Sequence, residues 1–211
     1  MIRPRVTLKL ATSLDGRIAT ASGESKWITS AEARAEGHKL RSQHDAVLVG
    51  IATVLADDPL LTDRTDPPPP KQPLRVVLDS SFRLPPTSRL AQTAQAHPVV
   101  VFGAMTPPPP LPHVRSVELD PARVEAVLDY LKQAHAVASV LIEGGGRVAA
   151  SFLRAGLVDR IEWFRASIVL GAEGAPGIGA LLLQALQDAP RFERLAVRPI
   201  GPDLWESYGK A

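Results

Sequence analysis

The sequence predicts an α/β fold with a central, mainly parallel sheet flanked by helices and closed by a C-terminal antiparallel hairpin. Three observations carry that expectation. Short, apolar, β-branched runs alternate with segments of helical periodicity. A run of three glycines joins the last such apolar run to a helix. The final stretch reads as two strands with no helix between them.

Taken in order, Arg5 to Ala11 alternates, with Val6, Leu8 and Leu10 on one face and Thr7, Lys9 and Ala11 on the other, the period of a strand. After a glycine-containing loop, Thr29-Ser-Ala-Glu32 matches the capping box and predicts a helix from about Ser30 to Gln43. Asp45 to Gly50, Leu74 to Leu78 and Pro98 to Phe102 are short, apolar and rich in valine, as strands covered on both faces require. Thr53 to Arg64 reads as a turn-rich connection in which Asp58 turns the chain before Pro59. Val124, Val127, Leu128 and Leu131 recur at i, i+3, i+4 and i+7, so a helix lies between Pro121 and His135. Val137 to Ile142 is a further buried strand, leading through Glu143-Gly-Gly-Gly146 into an apolar helical segment that includes Phe152 and Leu153. Ile161 to Leu170 and Leu195 to Tyr208 supply the remaining strands. Pro67 to Pro70 and Pro107 to Pro112 form stiff surface connections.

A chain of 211 residues that is 45% apolar supports one sizeable core, so a single domain over residues 1–211 is expected. Lysine and arginine number 24 against 22 acidic residues, with no dense basic run, which gives nucleic-acid binding no support. No apolar stretch is long enough for a signal core or a membrane span, and a cytoplasmic protein is the expectation. Absence of cysteine excludes disulfides and thiolate chemistry, and the five histidines show no metal-binding spacing, so no metal is expected.

The junction at Glu143 to Ala149 puts glycines at a helix start, where unpaired N–H groups and the helix dipole suit a pyrophosphate. Gly144, Gly146 and Ala149 fit GxGxxA, but the junction does not open the first βαβ unit and Asp159 precedes a strand, so a Rossmann fold is not indicated. Arg34, His38 and Arg41 share a helix face that is either solvated or a phosphate contact. Trp27 reads first as a packing tryptophan, and with Ser25 alternatively as a loop that orients a ring.

TLKLATSLDGRIA, GESKWIT, LRSQHDAVLVG, TVLADDPLLTDR, RVVLDS, VLIEGGG and SFLRAGLVD, in that order over about residues 5–171, resemble the reductase domain of the bifunctional riboflavin deaminase/reductase family. The resemblance implies a dihydrofolate-reductase-like fold, NADPH as cofactor, a homodimer and a phosphorylated pyrimidine substrate. It places cofactor contacts on Ala11, Trp27, Thr53, Asp57, Ser80 and the loop Gly145, Gly146, Arg147, Val148, Ala149, Ala150 and Ser151. Substrate contacts fall on Ser25, Arg41, Leu61, Arg64 and Glu143, with Arg41 and Arg64 on the ribose phosphate. Ser80 and Arg83 are candidates for the 2′-phosphate of the cofactor. Lys9, Asp57 and Glu143 are the candidate acid/base groups, Lys9 being partly desolvated on a two-sided sheet.

The family's common form adds a zinc deaminase with paired cysteines, which this chain lacks, so a stand-alone reductase served by a separate deaminase is expected. The expected reaction is NADPH-dependent reduction of the ribosyl group of 5-amino-6-(5-phosphoribosylamino)uracil to ribityl. Competing readings are reduction of the still-aminated precursor, reduction of dihydrofolate, and a non-catalytic dinucleotide-binding protein.

Overall fold

The computed structural model describes residues 3–67, 69, 71–109 and 111–211; Pro68, Pro70 and Pro110 of the two proline clusters lie outside the described residues. In chain order the elements are β1 (Arg5–Thr12), β2 (Arg17–Ala19), α1 (Ala31–Ser42), β3 (Ala46–Gly50), α2 (Ile51–Asp57), β4 (Leu74–Leu78), α3 (Arg89–Gln92), β5 (Val99–Gly103), β6 (Val114–Glu118), α4 (Val124–His135), β7 (Ser139–Glu143), α5 (Gly146–Arg154), β8 (Arg160–Arg165), β9 (Ala175–Pro176), β10 (Phe192–Ile200) and β11 (Asp203–Lys210). The chain forms two compact units, one of Met1–Arg5 with His38–Glu143, the other of Val6–Gly37 with Gly144–Ala211.

In the first unit the strand order is β7-β3-β4-β5-β6, all parallel. Every residue of β3 and β5 is buried, which is why both read as unbroken apolar runs. Helix α4 buries the four residues of its predicted stripe, Val124, Val127, Leu128 and Leu131. Asp45 fixes the start of β7, its Oδ2 accepting from the N–H groups of Ala138 and Ser139 and from Ser139 Oγ, each at 2.9 Å.

In the second unit the order is β10-β11-β8-β1, with β1 and β8 parallel and the other pairs antiparallel, so the C-terminal hairpin is as predicted. Asp159 clips β8 to β1: its Oδ2 accepts the Val6 N–H at 2.8 Å, and its own N–H donates to the Val6 carbonyl. Short β2 and β9 pair antiparallel.

Several expectations are corrected. The box at the start of α1 is built differently: Ser30 Oγ accepts from Ala33 N–H, and the carboxylate that takes the Ser30 N–H is Asp203 at 2.7 Å, not Glu32. The stretch Ile161 to Leu170 is a strand only to Arg165; beyond it the chain turns, and the N–H groups of Leu170 and Gly171 donate to Asp15. Helix α2, read as part of a turn-rich connection, follows β3 with no side-chain cap to announce it. Asp58 does turn the chain, closing α2 with left-handed backbone at φ 41.

Candidate functional site

The carried-over residues fall into sets within each unit. In the first unit the best-defined feature is the pair Arg41–Glu143. Arg41 Nε and Nη2 donate to Glu143 Oε1 and Oε2 at 2.6 and 2.8 Å, and Nη1 donates to the Thr62 carbonyl at 2.8 Å. Arg41 is only 7% exposed. Burial works against its charge, but Glu143, helped by Asp63, outweighs burial and holds the guanidinium above its ordinary value. The solvated basic face expected of α1 is therefore not formed: Arg41 is buried, and the Arg34 guanidinium lies 4.3 Å from the centre of the Trp27 ring. Both carboxylate oxygens of Glu143 thus accept from Arg41.

Thr53 and Asp57, both half-buried, stand one turn apart on α2. Leu61, in left-handed backbone at φ 56 and 2% exposed, sends its side chain into the core, which leaves its backbone as the part a ligand could touch. Asp63 stiffens this loop, accepting from Thr65 N–H at 2.9 Å and Thr65 Oγ1 at 3.0 Å. Arg64 is exposed; burial, then the charges of Arg41 and Arg89, push its guanidinium below the usual arginine value. Ser80 is exposed in the turn after β4, where the buried Asp79 accepts the Arg83 N–H and faces Arg83 Nε at 3.4 Å.

In the second unit Lys9 is half-buried on β1, as expected of a two-sided strand, with its Nζ 5.8 Å from the Phe164 ring centre. Its Cε lies 3.2 Å from where a Cβ on Gly37 would stand, so the glycine in α1 makes room for the lysine. Ala11 and Ser25 are half-buried. Trp27 is 70% exposed, so it is not the packing residue first expected, and its ring is available for stacking on the side away from Arg34.

Helix α5 opens on a glycine-led turn with no side-chain cap. Gly144 and Gly145 have φ of 106 and 86, which side-chain-bearing residues rarely adopt. The first N–H groups of Gly146, Arg147 and Val148 thus fit a pyrophosphate. Gly146 itself is glycine for another reason: a Cβ there would stand 2.3 Å from the Pro176 carbonyl oxygen. Ala149 and Ala150 are buried, so their contribution to a ligand is through backbone, while Arg147 is exposed and Val148 and Ser151 are half-buried.

The sequence profile of the RibD C-terminal domain matches residues 4–205. The chain belongs to that family. The riboflavin biosynthesis protein RibD of Bacillus amyloliquefaciens is 38% identical over 210 residues, covering 95% of this chain and 56% of that protein. RibD of Escherichia coli (strain K12) is 36% identical, covering 95% and 58%. The chain thus spans a little over half the length of these relatives. Among solved structures, Acinetobacter baumannii RibD matches with a TM-score of 0.87 and 33% identity over 99% of this chain and 58% of that one. The deaminase/reductase of Thermotoga maritima matches at 0.86 and 32%, over 99% and 57%. The mostly parallel sheet with antiparallel C-terminal strands is the fold of these RibD reductase domains.

Sequence reasoning missed the buried Arg75 and the room that Gly37 makes for Lys9. Arg75 was detectable, since a charged residue in the middle of the apolar run Leu74 to Leu78 has to be neutralised or hydrogen-bonded inside the protein.

Proposed function

We propose that this chain carries out the NADPH-dependent reduction of the ribosyl group of 5-amino-6-(5-phosphoribosylamino)uracil to the ribityl product. The observation that carries the reading is the uncapped, glycine-led start of α5 directly after the buried strand β7, in a chain of the RibD C-terminal domain family. The Thermotoga relative is named as reductase for that substrate. When bound, the nicotinamide cofactor supplies a hydride, which adds to C1′ of the sugar in its open-chain form while a proton goes to the heteroatom.

The chain's residues then bind, orient and move the proton. The N–H groups that open α5 take the cofactor's pyrophosphate, Trp27 stacks against a ring, and Ala11, Thr53, Asp57, Ser80 and the rest of the loop to Ser151 complete the cofactor contacts carried over by motif. Ser25, the Leu61 backbone, Arg64 and the Arg41–Glu143 pair serve the substrate. Lys9 is the proposed proton donor, with Asp57 and Glu143 as the other candidate acid/base groups. We expect Lys9→Met to abolish turnover with NADPH affinity retained; normal activity would remove the assignment.

NADPH over NADH belongs to the same proposal. Ser80 and Arg83 stand together in the Asp79-capped turn after β4, and a hydroxyl with an exposed guanidinium suits a ribose 2′-phosphate. Arg83→Ala should lower the preference for NADPH about 10-fold or more, the worth of one charge-assisted hydrogen bond, with NADH use unchanged. A homodimer is proposed from β10, an edge strand exposed along nearly its whole length with Leu195 and Val197 outward. Among the described residues no helix is long and apolar enough to cross a membrane, and a cytoplasmic location completes the reading, with a deaminating step supplying the substrate.

The test is NADPH oxidation at 340 nm with the deaminated substrate, its still-aminated precursor and dihydrofolate in parallel. Oxidation with the deaminated compound alone supports the proposal. Preference for either of the others moves the reaction to that substrate, and cofactor binding without turnover of any would make this a binding protein.

A further inference from the structure

Residues 175–179 (Ala-Pro-Gly-Ile-Gly) lie beyond the last of the motifs, and they are bonded on one side to the loop after β1 and on the other to the first residue of α5. The chain leading to them is anchored by Asp15, whose carboxylate accepts the N–H groups of Leu170 and Gly171 at 3.1 and 2.8 Å. Strand β9 then pairs with β2, Arg17 opposite Pro176 and Ala19 opposite Ala175. The Gly177 N–H donates to the Gly16 carbonyl at 2.9 Å, and the Gly179 N–H donates to the Gly146 carbonyl at 2.8 Å. The approach is close enough to exclude side chains from both sides of the seam. A Cβ on Gly146 would meet the Pro176 carbonyl oxygen at 2.3 Å, and one on Gly179 would stand 3.0 Å from the Gly146 carbonyl oxygen. A Cβ on Gly177 would stand 3.0 Å from Thr12 Cγ2, next in the chain to Ala11.

These bonds supply what α5 lacks. The helix has nine residues and no side-chain cap at its start. Helix ends fray, and an opening turn that frays no longer aims its N–H groups in one direction. The Gly146 carbonyl and the Arg147 N–H belong to one planar trans peptide and point opposite ways. The bond from Gly179 that fixes the carbonyl therefore also fixes the direction of the Arg147 N–H. We propose that residues 175–179 are a positioning segment for the cofactor's pyrophosphate, holding the first peptide of α5 so that its N–H groups are aimed before the cofactor arrives. Donors oriented in advance spare the ordering that binding would otherwise cost, so the segment contributes to affinity through Gly146. The inference rests on the proposed cofactor.

Gly179→Ala tests it, because the new Cβ presses on the Gly146 carbonyl while the backbone at this position lies outside the left-handed region. Calorimetry should find NADPH bound about 10-fold or more weakly than by wild-type protein, the worth of one charge-assisted hydrogen bond. Adenosine 2′-monophosphate, which has no pyrophosphate, should bind both proteins equally. In the ligand-free protein the Ala149 N–H, bonded to the Gly145 carbonyl at 3.1 Å, should exchange with deuterium faster in Gly179→Ala. Ala180→Ser, exposed and next along the chain, should leave all three values as in wild type. Should Gly179→Ala fail to fold, Gly177→Ala loosens the same segment from its Gly16 anchor and should weaken NADPH in the same direction. Wild-type NADPH affinity in the variant, or an equal loss for adenosine 2′-monophosphate, would overturn the positioning role and leave the cofactor reading in place. Wild-type protein that binds no NADPH would overturn the cofactor reading, and the segment's role with it.

Discussion

At the scale of single residues, the informative positions are those where local propensity is set aside for a neighbour. Gly37 sits inside α1, where alanine would be favoured by about 1 kcal/mol, and the reason is the Lys9 side chain crossing at 3.2 Å from the missing Cβ. Gly37→Ala should therefore leave the melting temperature unchanged or raised while lowering kcat several-fold; a fall in stability with kcat intact would show that Lys9 is not held there for chemistry. The Arg41–Glu143 pair makes a different prediction. Removing one member strands a charge in a buried place, so Arg41→Ala should cost about 3–5 kcal/mol in urea unfolding. Candidate residues were legible where a motif holds a type and a spacing, as at Glu143 and Gly145. Partnerships were not: Arg41 is 102 positions from Glu143, and no periodicity on α1 separates a guanidinium that will be buried from one that will be solvated.

At the scale of elements, legibility follows how much of an element's reason lies within it. β3 and α4 are buried by their own composition, and their apolar patterns place both within a residue or a few of where they occur. The start of α1 was legible in its Thr29-Ser30 opening, though the carboxylate that takes the Ser30 N–H is the distant Asp203, whereas α2 depends on its place after β3 and was not readable locally. The loop after β1 shows the same dependence with a titratable group. Ser13 Oγ donates to Asp15 at 2.6 Å, and with the N–H groups of Leu170 and Gly171 it draws the Asp15 carboxyl down to about 2. The folded-state value is depressed, so the stabilisation is complete above the unfolded carboxyl value near 4 and is lost as pH falls toward 2. The stability difference between wild-type protein and Asp15→Asn should therefore be level from pH 7 to 5 and shrink below about pH 4.

At the scale of the whole molecule, the proposed function draws on the glycine-led start of α5, on the exposed Arg64 and on the half-buried Lys9. The exposed edge strand leads to an expected dimer in analytical ultracentrifugation, which Leu195→Glu with Val197→Lys should convert to monomers; an unchanged dimer would move the interface elsewhere. The most direct test of the central claim follows the hydride. With NADPH deuterated at nicotinamide C4 on the transferred face and 5-amino-6-(5-phosphoribosylamino)uracil as substrate, the product should carry one deuterium at the ribityl C1′, seen by mass and by NMR. NADPH oxidised without deuterium at C1′, or a sugar left unreduced, would contradict the account.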